Sequence, residues 1–187
     1  MRIIGGELKG KSFNFLKSKT TRPLKDSVKE NIFNILTHSK EINIKINEAN
    51  ILDLYSGVGS FGLECLSRGA REVTFFENNN EALRILNINI KALSLINKVK
   101  IENGKILSIK KPILTKDKFK IFFLDPPFAD KEFVKILKII KKKEIFNSNH
   151  IVIIHREKNS EDELENLLKI LSIRNYGRSK IIFGKFI

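Results

Sequence analysis

A glycine motif after a short apolar run is the first candidate site. Residues 53–62 read Asp-Leu-Tyr-Ser-Gly-Val-Gly-Ser-Phe-Gly, which gives Gly57, Gly59 and Gly62 the G-x-G-x-x-G spacing. Glycine in such a turn lets the backbone approach a ligand closely, and a helix that begins there offers free N–H groups. A tight strand–helix turn without a ligand would give the same pattern. The acids beside the motif therefore serve to distinguish a ligand-binding turn from a tight turn without a ligand.

Two carboxylates indicate what this turn would bind. Asp53 precedes the glycines, where it would repel a pyrophosphate but attract an amino or ammonium group. Glu77 closes the next apolar run about 20 residues further on, where an acid can accept both hydroxyls of a ribose. Together these acids favour a nucleoside with a cationic amino-acid tail over a dinucleotide. We expect the cofactor S-adenosylmethionine, with S-adenosylhomocysteine as the product.

A second candidate site is Asp125-Pro126-Pro127-Phe128, directly after the apolar residues 121–124. Prolines restrict φ and donate no N–H, so the turn can present the Asp125 carboxylate and the Pro126 carbonyl as a rigid pair of acceptors. If the ligand at this turn is a nucleobase with an exocyclic amine, both acceptors would hold that amine and its lone pair would point at the methyl group of the cofactor. Phe128 would then lie against the face of the base. A plain proline-rich turn with a core phenylalanine is the alternative. This chemistry does not distinguish guanine N2 from adenine N6.

A competing motif lies near the N-terminus. Residues 5–12 satisfy the phosphate-loop pattern G-x-x-x-x-G-K-[ST], and residues 121–125 could pass for its metal-binding partner in an ATPase. A phosphate loop needs a buried strand before it and a long helix after it. Here four residues precede Gly5, and Phe13 and Phe15 alternate like a strand. The segment is better interpreted as a small β-hairpin, and a P-loop ATPase is a distant alternative.

The cysteine and the histidines offer weaker candidates. Cys65 lies on the apolar side of a helical stretch, and we expect it in the core rather than as a nucleophile. His38, His150 and His155 have no partner at metal-ligand spacing. We therefore expect no metal site.

The elements that must position these sites alternate along the chain. Short apolar runs predict strands at 51–54, 73–76, 99–101, 121–124 and 151–154. Helical periodicity predicts a first helix from Asp26 onward and later helices over 61–67, 81–95, 133–140 and 163–170. This alternation predicts a parallel sheet covered on both faces, to which a hairpin of 172–176 and 180–186 adds an antiparallel strand. Asp125 would then lie beside the first strand, in the crevice where such sheets bind ligands.

Composition bounds the class of protein. The 187 residues include 35 Lys and Arg against 21 Asp and Glu, for a net charge of +14, and 42% of them are hydrophobic. One globular core is expected, and most disordered proteins are excluded. No apolar run approaches the roughly 20 residues of a membrane span. With no visible export signal and a single cysteine, we expect a cytoplasmic protein.

Positive charge is concentrated at the N-terminus, where residues 1–25 hold seven basic residues and one acid. We therefore divide the chain into a basic hairpin extension, residues 1–25, and a main domain, residues 26–187. Excess positive charge attracts polyanions, nucleic acid first, although a composition rich in Lys, Ile and Asn would produce it too. The residues expected to contact RNA phosphates are Lys9, Lys11, Lys17, Lys19 and Arg22.

Segments along nearly the whole chain match one family pattern in order: residues 1–10, 22–36 and 53–70, the turn at 125–128, and Tyr176-Gly177. They resemble bacterial 16S rRNA guanine-N2 methyltransferases of the RsmD type. The resemblance implies a class I S-adenosylmethionine-dependent methyltransferase fold. This fold is α/β and Rossmann-like, with a seven-stranded mixed sheet of order 3-2-1-4-5-7-6, here with a small N-terminal β-hairpin. The resemblance also implies methylation of N2 of the guanine at position 966 of 16S rRNA.

The residue patterns and the resemblance together predict the site. Its catalytic residues are Asp125, Pro126, Pro127 and Phe128. Its cofactor-binding residues are Arg22, Asp53, Tyr55, Gly57, Gly59, Glu77, Asn78, Asn103, Gly104 and Asp125. We expect 16S rRNA or the assembling small ribosomal subunit as partner, no membrane, no metal, and a monomer. The alternatives are an RNA or DNA adenine-N6 methyltransferase and a non-catalytic RNA-binding protein on the same fold.

Four positions depart from the family pattern. Leu24 stands where the family usually has threonine, Asn103 where an aspartate faces the adenine, and Phe128 where tyrosine is commoner. Asn103 can still accept a hydrogen bond through its amide oxygen. His155 opens the segment after strand five, where the family usually has an acid. The sequence alone offers no physical reason for this last change.

Overall fold

The computed structural model describes residues 1–16, 24–104 and 118–187, and its framework is a seven-stranded sheet. The strands are β1 (Asn50–Leu54), β2 (Glu72–Glu77), β3 (Val99–Asn103), β4 (Phe119–Leu124), β5 (Phe146–Glu157), β6 (Leu168–Tyr176) and β7 (Ser179–Phe186). The helices are α1 (Asp26–His38), α2 (Ser60–Ser67), α3 (Asn80–Ala92) and α4 (Phe133–Lys143), with a 3-10 turn at Ile96–Lys98.

The strand order is β3-β2-β1-β4-β5-β7-β6, which confirms the predicted topology. Strands β1 to β5 are parallel to one another, whereas β7 is antiparallel to both β5 and β6. Leu54, at the end of β1, lies between Phe76 of β2 and Leu124 of β4. The carboxyl ends of these three strands therefore meet at one edge, where the strand order reverses.

Apolar residues cover both faces of the sheet. In β4, Ile121 and Phe123 belong to one hydrophobic cluster, whereas Phe122 and Leu124 belong to the other. Phe61 of α2 stacks on Phe123 with ring centroids 4.0 Å apart. Because successive side chains of a strand point to opposite faces, a strand buried on both sides is apolar throughout. This explains the uninterrupted apolar runs of the sequence.

The prediction of a helix over residues 163–170 is wrong. The chain makes a single turn there, in which Leu164 O accepts from the N–H groups of Leu167 and Leu168, and β6 begins at Leu168. One turn already buries these leucines, so their helical spacing is satisfied without a longer helix. From Leu168 onward, pairing with β7, opposite Phe186, replaces further helical bonds.

The N-terminal segment forms a minimal hairpin that is anchored on α2. Arg2 and Ser12 form an isolated antiparallel bridge, and Ile3 is fully buried in the core. The carboxylate of Glu64, on α2, accepts from Ile4 N at 2.9 Å and from Gly5 N at 2.8 Å. Neither a buried strand before the glycines nor a helix directly after them is found within residues 1–16. The hairpin interpretation therefore holds there, and the phosphate-loop interpretation lacks its structural context.

Within the described ranges, no helix has the length and apolar character needed to cross a membrane. The proposed boundary at residue 25 stays a prediction, because residues 17–23 lie outside the description.

Candidate functional site

The glycine turn connects β1 to α2, and its three glycines have different roles. A Cβ on Gly59 would lie 2.5 Å from Leu86 Cδ1, and a Cβ on Gly62 would overlap the ring of Phe75. Gly57 has a left-handed φ of 55°, but a Cβ there would meet no atom within 4 Å. Packing alone therefore accounts for Gly59 and Gly62. Gly57 faces open space, as a residue that lines a ligand site does.

Asp53 carries an unsatisfied acceptor next to this turn. Its Oδ2 accepts from Gly62 N at 2.9 Å, whereas its Oδ1 is buried and has no hydrogen-bond partner in the described part of the chain. Burial raises the pKa of Asp53 well above its usual range. The hydrogen bond from Gly62 lowers this pKa, whereas the negative charges of Asp125 and Glu77 raise it further. A buried acceptor beside two further carboxylates fits a cationic donor, such as the ammonium of S-adenosylmethionine.

Glu77 holds the glycine turn from the neighbouring strand. Its Oε2 accepts from Gly57 N at 2.6 Å, and its Oε1 accepts from Asn78 N and Asn79 N, each at 2.8 Å. A carboxylate offers about four acceptor positions, of which three are used here. Glu77 therefore has room for one further donor, and a ribose that used both hydroxyls would share or displace a backbone bond.

Three more predicted cofactor residues lie at the same edge. Asn103 is the register partner of Glu77 at the end of β3, and Gly104 N donates to Glu77 O at 3.3 Å. Asn78 follows Glu77 directly and is exposed. Arg22, predicted to contact both cofactor and RNA, lies outside the described residues, as do Lys17 and Lys19.

Tyr55 links the glycine turn to the loop after β4. Its φ of 60° is left-handed, which is uncommon for a residue other than glycine. Burial raises the pKa of Tyr55, and so does the hydrogen bond of its hydroxyl to Asp130. Asp130 lies two residues after the Asp-Pro-Pro-Phe turn, so this contact connects the glycine turn to the loop after β4.

The Asp-Pro-Pro-Phe turn begins where β1 ends. Asp125 N donates to Leu54 O at 3.3 Å, which places the turn beside the first strand, as predicted. Asp125 Oδ1 accepts from His155 Nδ1 at 2.8 Å. The ring of Phe128 packs edge-on against His155, with centroids 5.8 Å apart. The turn is thus supported by the end of β5.

Arg156 is the residue that sequence reasoning missed. Its guanidinium is fully buried, and it donates from Nη1 to Pro127 O at 3.1 Å and from Nη2 to Phe128 O at 3.0 Å. Asp162 accepts from Nε at 2.9 Å and from Nη2 at 3.1 Å, and the ring of Phe133 lies 4.6 Å from the guanidinium carbon. Arg156 therefore fixes two consecutive carbonyls of the turn. An arginine inside a buried strand, with an aspartate six residues later, is the signal that could have revealed it.

The weaker candidates lie elsewhere. Cys65 is fully buried, as predicted, and burial raises the pKa of its thiol well above the usual range. His150 accepts from Phe186 N through Nε2, and His38 is exposed at the end of α1. Among the residues that the structure describes, no three His, Cys, Asp or Glu side chains are grouped as a metal site would need.

The Arg156–Asp162 pair predicts a specific dependence of stability on pH. Burial raises the pKa of Asp162, but hydrogen bonds from Arg156 and Ser160 and the charges of Arg156 and Lys131 outweigh it and leave the pKa below its ordinary value. A depressed pKa stabilises the fold above the unfolded value of about 3.9, and this contribution is lost as the pH falls through the folded value. Asp162→Asn should cost about 3 kcal/mol at pH 7.

Urea unfolding at pH 7, 5, 4 and 3 measures this effect. The parent should lose part of its free energy of unfolding below about pH 4, and Asp162→Asn should lose less over the same range. Glu161→Gln, at the exposed neighbouring acid, is the matched control and should follow the parent. Parallel curves for Asp162→Asn and the parent would contradict the assignment.

Comparisons with known proteins identify the family of this chain. The family model described as Conserved hypothetical protein 95 matches residues 1–185. Ribosomal RNA small subunit methyltransferase D of Haemophilus influenzae is 30% identical over 159 residues, covering 84% of this chain and 79% of that protein. The protein of the same name from Buchnera aphidicola subsp. Baizongia pistaciae is 30% identical over 157 residues, covering 84% of this chain and 76% of its own length.

A solved structure gives the same fold. The Escherichia coli protein yhhF, which carries a provisional methyltransferase name, superposes with a TM-score of 0.81 at 23% identity, over 100% of this chain and 97% of that one. The sheet order and this superposition establish the class I S-adenosylmethionine-dependent methyltransferase fold. The chain belongs to the family described as Conserved hypothetical protein 95, the RsmD-type rRNA methyltransferases.

Proposed function

We propose that this methyltransferase transfers a methyl group from S-adenosylmethionine to N2 of a guanine in 16S rRNA, the one at position 966. The observation that carries the proposal is the convergence of Asp53, Glu77 and Asp125 at the carboxyl ends of β1, β2 and β4. Relatives named Ribosomal RNA small subunit methyltransferase D support the RNA substrate. The choice of guanine over adenine N6 rests on the family resemblance.

Different residues would hold the different groups of the cofactor. The unsatisfied Oδ1 of Asp53 would accept from the ammonium group, and the remaining acceptor position of Glu77 would take a ribose hydroxyl. Asn103, beside Glu77, would face the adenine. Tyr55, Asn78, Gly57 and Gly104 would border the same crevice. When bound, S-adenosylmethionine supplies an electrophilic methyl group on a sulfonium.

The Asp-Pro-Pro-Phe turn would orient the nucleophile. The lone pair of an exocyclic amine is delocalised into the base, which makes the amine a poor nucleophile. Acceptance of one N–H by Asp125 and the other by the Pro126 carbonyl favours a tetrahedral nitrogen whose lone pair points at the methyl group. Orientation of this kind can contribute about 7 to 11 kcal/mol. The target base must leave its stack, and the half-buried ring of Phe128 would support its face.

RNA phosphates would bind the basic N-terminal extension, residues 1–25. Lys9 and Lys11 are exposed on the hairpin, and Lys17, Lys19 and Arg22 continue its charge along the chain. Contacts to phosphates position an RNA without reading its sequence. The hairpin is anchored on α2 by Glu64, so an RNA held there would have a fixed position relative to the glycine turn. We propose a monomer that acts on 16S rRNA or on the assembling small subunit.

The first prediction of the proposed function concerns the cofactor. Glu77→Ala removes the acceptor for a ribose hydroxyl and for Gly57 N, and it should weaken S-adenosylmethionine binding by about 1.5 to 3 kcal/mol. Isothermal titration of parent and variant measures this change. Glu72→Ala, at the other end of β2, is the control and should bind like the parent. Unchanged affinity in Glu77→Ala would remove this residue from the site, and tight binding of ATP instead would favour the ATPase alternative.

The second prediction concerns catalysis. Asp125→Ala should lose nearly all methyl transfer but keep cofactor affinity within a few-fold, because its carboxylate is assigned to the target amine. Transfer of a tritiated methyl group to unmethylated small subunits and to protein-free 16S rRNA measures the rate, and titration measures the affinity. Glu132→Ala, an exposed acid at the start of α4, is the control. Turnover of Asp125→Ala at the parent rate would refute the assignment, and N6-methyladenine in the product would select the alternative substrate.

The third prediction concerns RNA binding. Replacement of Lys9, Lys11, Lys17 and Lys19 by alanine should weaken RNA binding and flatten its salt dependence, with a slope lower by about 0.7 to 0.9 for each phosphate that the protein no longer neutralises. Cofactor affinity should not change. Lys142→Ala with Lys143→Ala, at the exposed end of α4, is the comparison variant. If only this second variant changes the slope, the RNA lies along α4 and not on the hairpin.

A further inference from the structure

His155 lies beside the carboxylate that the proposed mechanism uses. Ile154 of β5 is the register partner of Leu124 of β4, and the next residues of these parallel strands, His155 and Asp125, are therefore neighbours. The Nδ1 of His155 lies 2.8 Å from Asp125 Oδ1, and the His155 side chain is 10% exposed. The Nε2 atom is buried and has no hydrogen-bond partner in residues 1–16, 24–104 or 118–187.

This contact has a fixed direction. An ionised carboxylate only accepts hydrogen bonds, so His155 Nδ1 is the donor and Asp125 Oδ1 is the acceptor. Within the described residues, Nδ1 makes the ring's one hydrogen bond, so rotation of the ring by half a turn would lose it. The backbone of His155 pairs with Ile181 of β7, and its ring packs edge-on against Phe128. Strand, ring contact and hydrogen bond together hold the donor in place.

We propose that His155 is a positioning residue for methyl transfer, which holds Asp125 Oδ1 through Nδ1–H and leaves Oδ2 as the carboxylate oxygen for the target amine. The inference rests on the proposed function. It specifies Oδ2 as the atom of Asp125 that accepts from the target amine, and His155 as the residue that orients the carboxylate. His155 supports the carboxylate at the start of the turn, and its neighbour Arg156 supports the carbonyls of Pro127 and Phe128.

The proton balance of the reaction fits this division of the carboxylate. A carbon–nitrogen bond forms and the carbon–sulfur bond of the sulfonium breaks, after which the amine nitrogen carries one proton too many. Oδ2 is the oxygen that accepts from this amine, and it takes the proton. The Asp125 side chain is 26% exposed, so the proton can pass to water. His155 exchanges no proton in this sequence and acts through Asp125.

Three substitutions of His155 distinguish a positioned hydrogen-bond donor from a side chain that only fills space. His155→Asn keeps an amide nitrogen near the position of Nδ1, His155→Gln places its amide nearer the position of Nε2, and His155→Leu keeps apolar volume without a donor. In single-turnover methyl transfer, His155→Leu and His155→Gln should be slowed by about 10- to 100-fold. His155→Asn should stay within about threefold of the parent. All three should bind S-adenosylmethionine within about twofold of the parent.

Imidazole nitrogen NMR gives a readout without activity. The chain has three histidines, and His38→Asn and His155→Asn assign two of their signals by loss. The parent should show a protonated Nδ1 for His155 that exchanges slowly with water. In Asp125→Ala this exchange should accelerate, because the acceptor is gone.

The outcomes are distinguishable. His155→Leu or His155→Gln at the parent rate, or His155→Asn as slow as His155→Gln, would overturn the positioning role while leaving methyl transfer intact. If His155→Leu does not fold, the comparison of the two amide variants still decides. If the parent protein transfers no methyl group to RNA but its His155 Nδ1 proton still exchanges slowly with water, the proposed function is refuted. The Asp125–His155 contact would nevertheless be supported. An unprotonated Nδ1 in the parent would overturn the contact itself.

Discussion

The candidate site depends on one buried guanidinium. Moving an isolated charge out of water costs several kcal/mol, so Arg156 is tolerated at 0% exposure only because its donors are matched. Asp162 neutralises the charge, and the carbonyls of Pro127 and Phe128 take the donors that face the turn. The same hydrogen bonds stabilise the turn, because its prolines lack the N–H groups through which a backbone would otherwise hydrogen-bond to a neighbouring segment. The charge and the turn therefore stabilise each other.

The crevice collects negative charge in a strongly basic chain. Asp53, Glu77 and Asp125 lie together although the net charge is +14, and each carboxylate is held differently. Gly62 N binds Asp53, three backbone N–H groups bind Glu77, and His155 binds Asp125. An acidic crevice suits a cationic cofactor, whereas a basic exterior suits a polyanion. Under the proposed function, this segregation would let one small domain attract both a cationic cofactor and a polyanionic RNA.

Much of the fold could be predicted because strands buried on both faces leave uninterrupted apolar runs in the sequence. The strand order came from the family resemblance, since periodicity does not specify which strands are neighbours. The false helix at 163–170 shows the limit, because Leu164 and Leu168 have helical spacing in what is a single turn before an edge strand. The role of Arg156 in the turn was missed for another reason. Its partners in the turn are backbone carbonyls 28 and 29 residues away, and a carbonyl leaves no trace in residue type.

The glycine motif illustrates how one pattern can combine separate constraints. Gly59 and Gly62 are required by Leu86 and Phe75, so they would be expected even in a turn that binds nothing. Gly57 has no such neighbour, and its N–H donates to Glu77 Oε2 at 2.6 Å. Glu77 is thus already engaged in this structure. A ribose hydroxyl that reaches it must either take the last acceptor position or compete with Gly57, and in the second case binding would loosen the very turn that borders the cofactor. The cost of that competition falls on the backbone of Gly57, the one glycine of the three at which a Cβ would meet no atom within 4 Å.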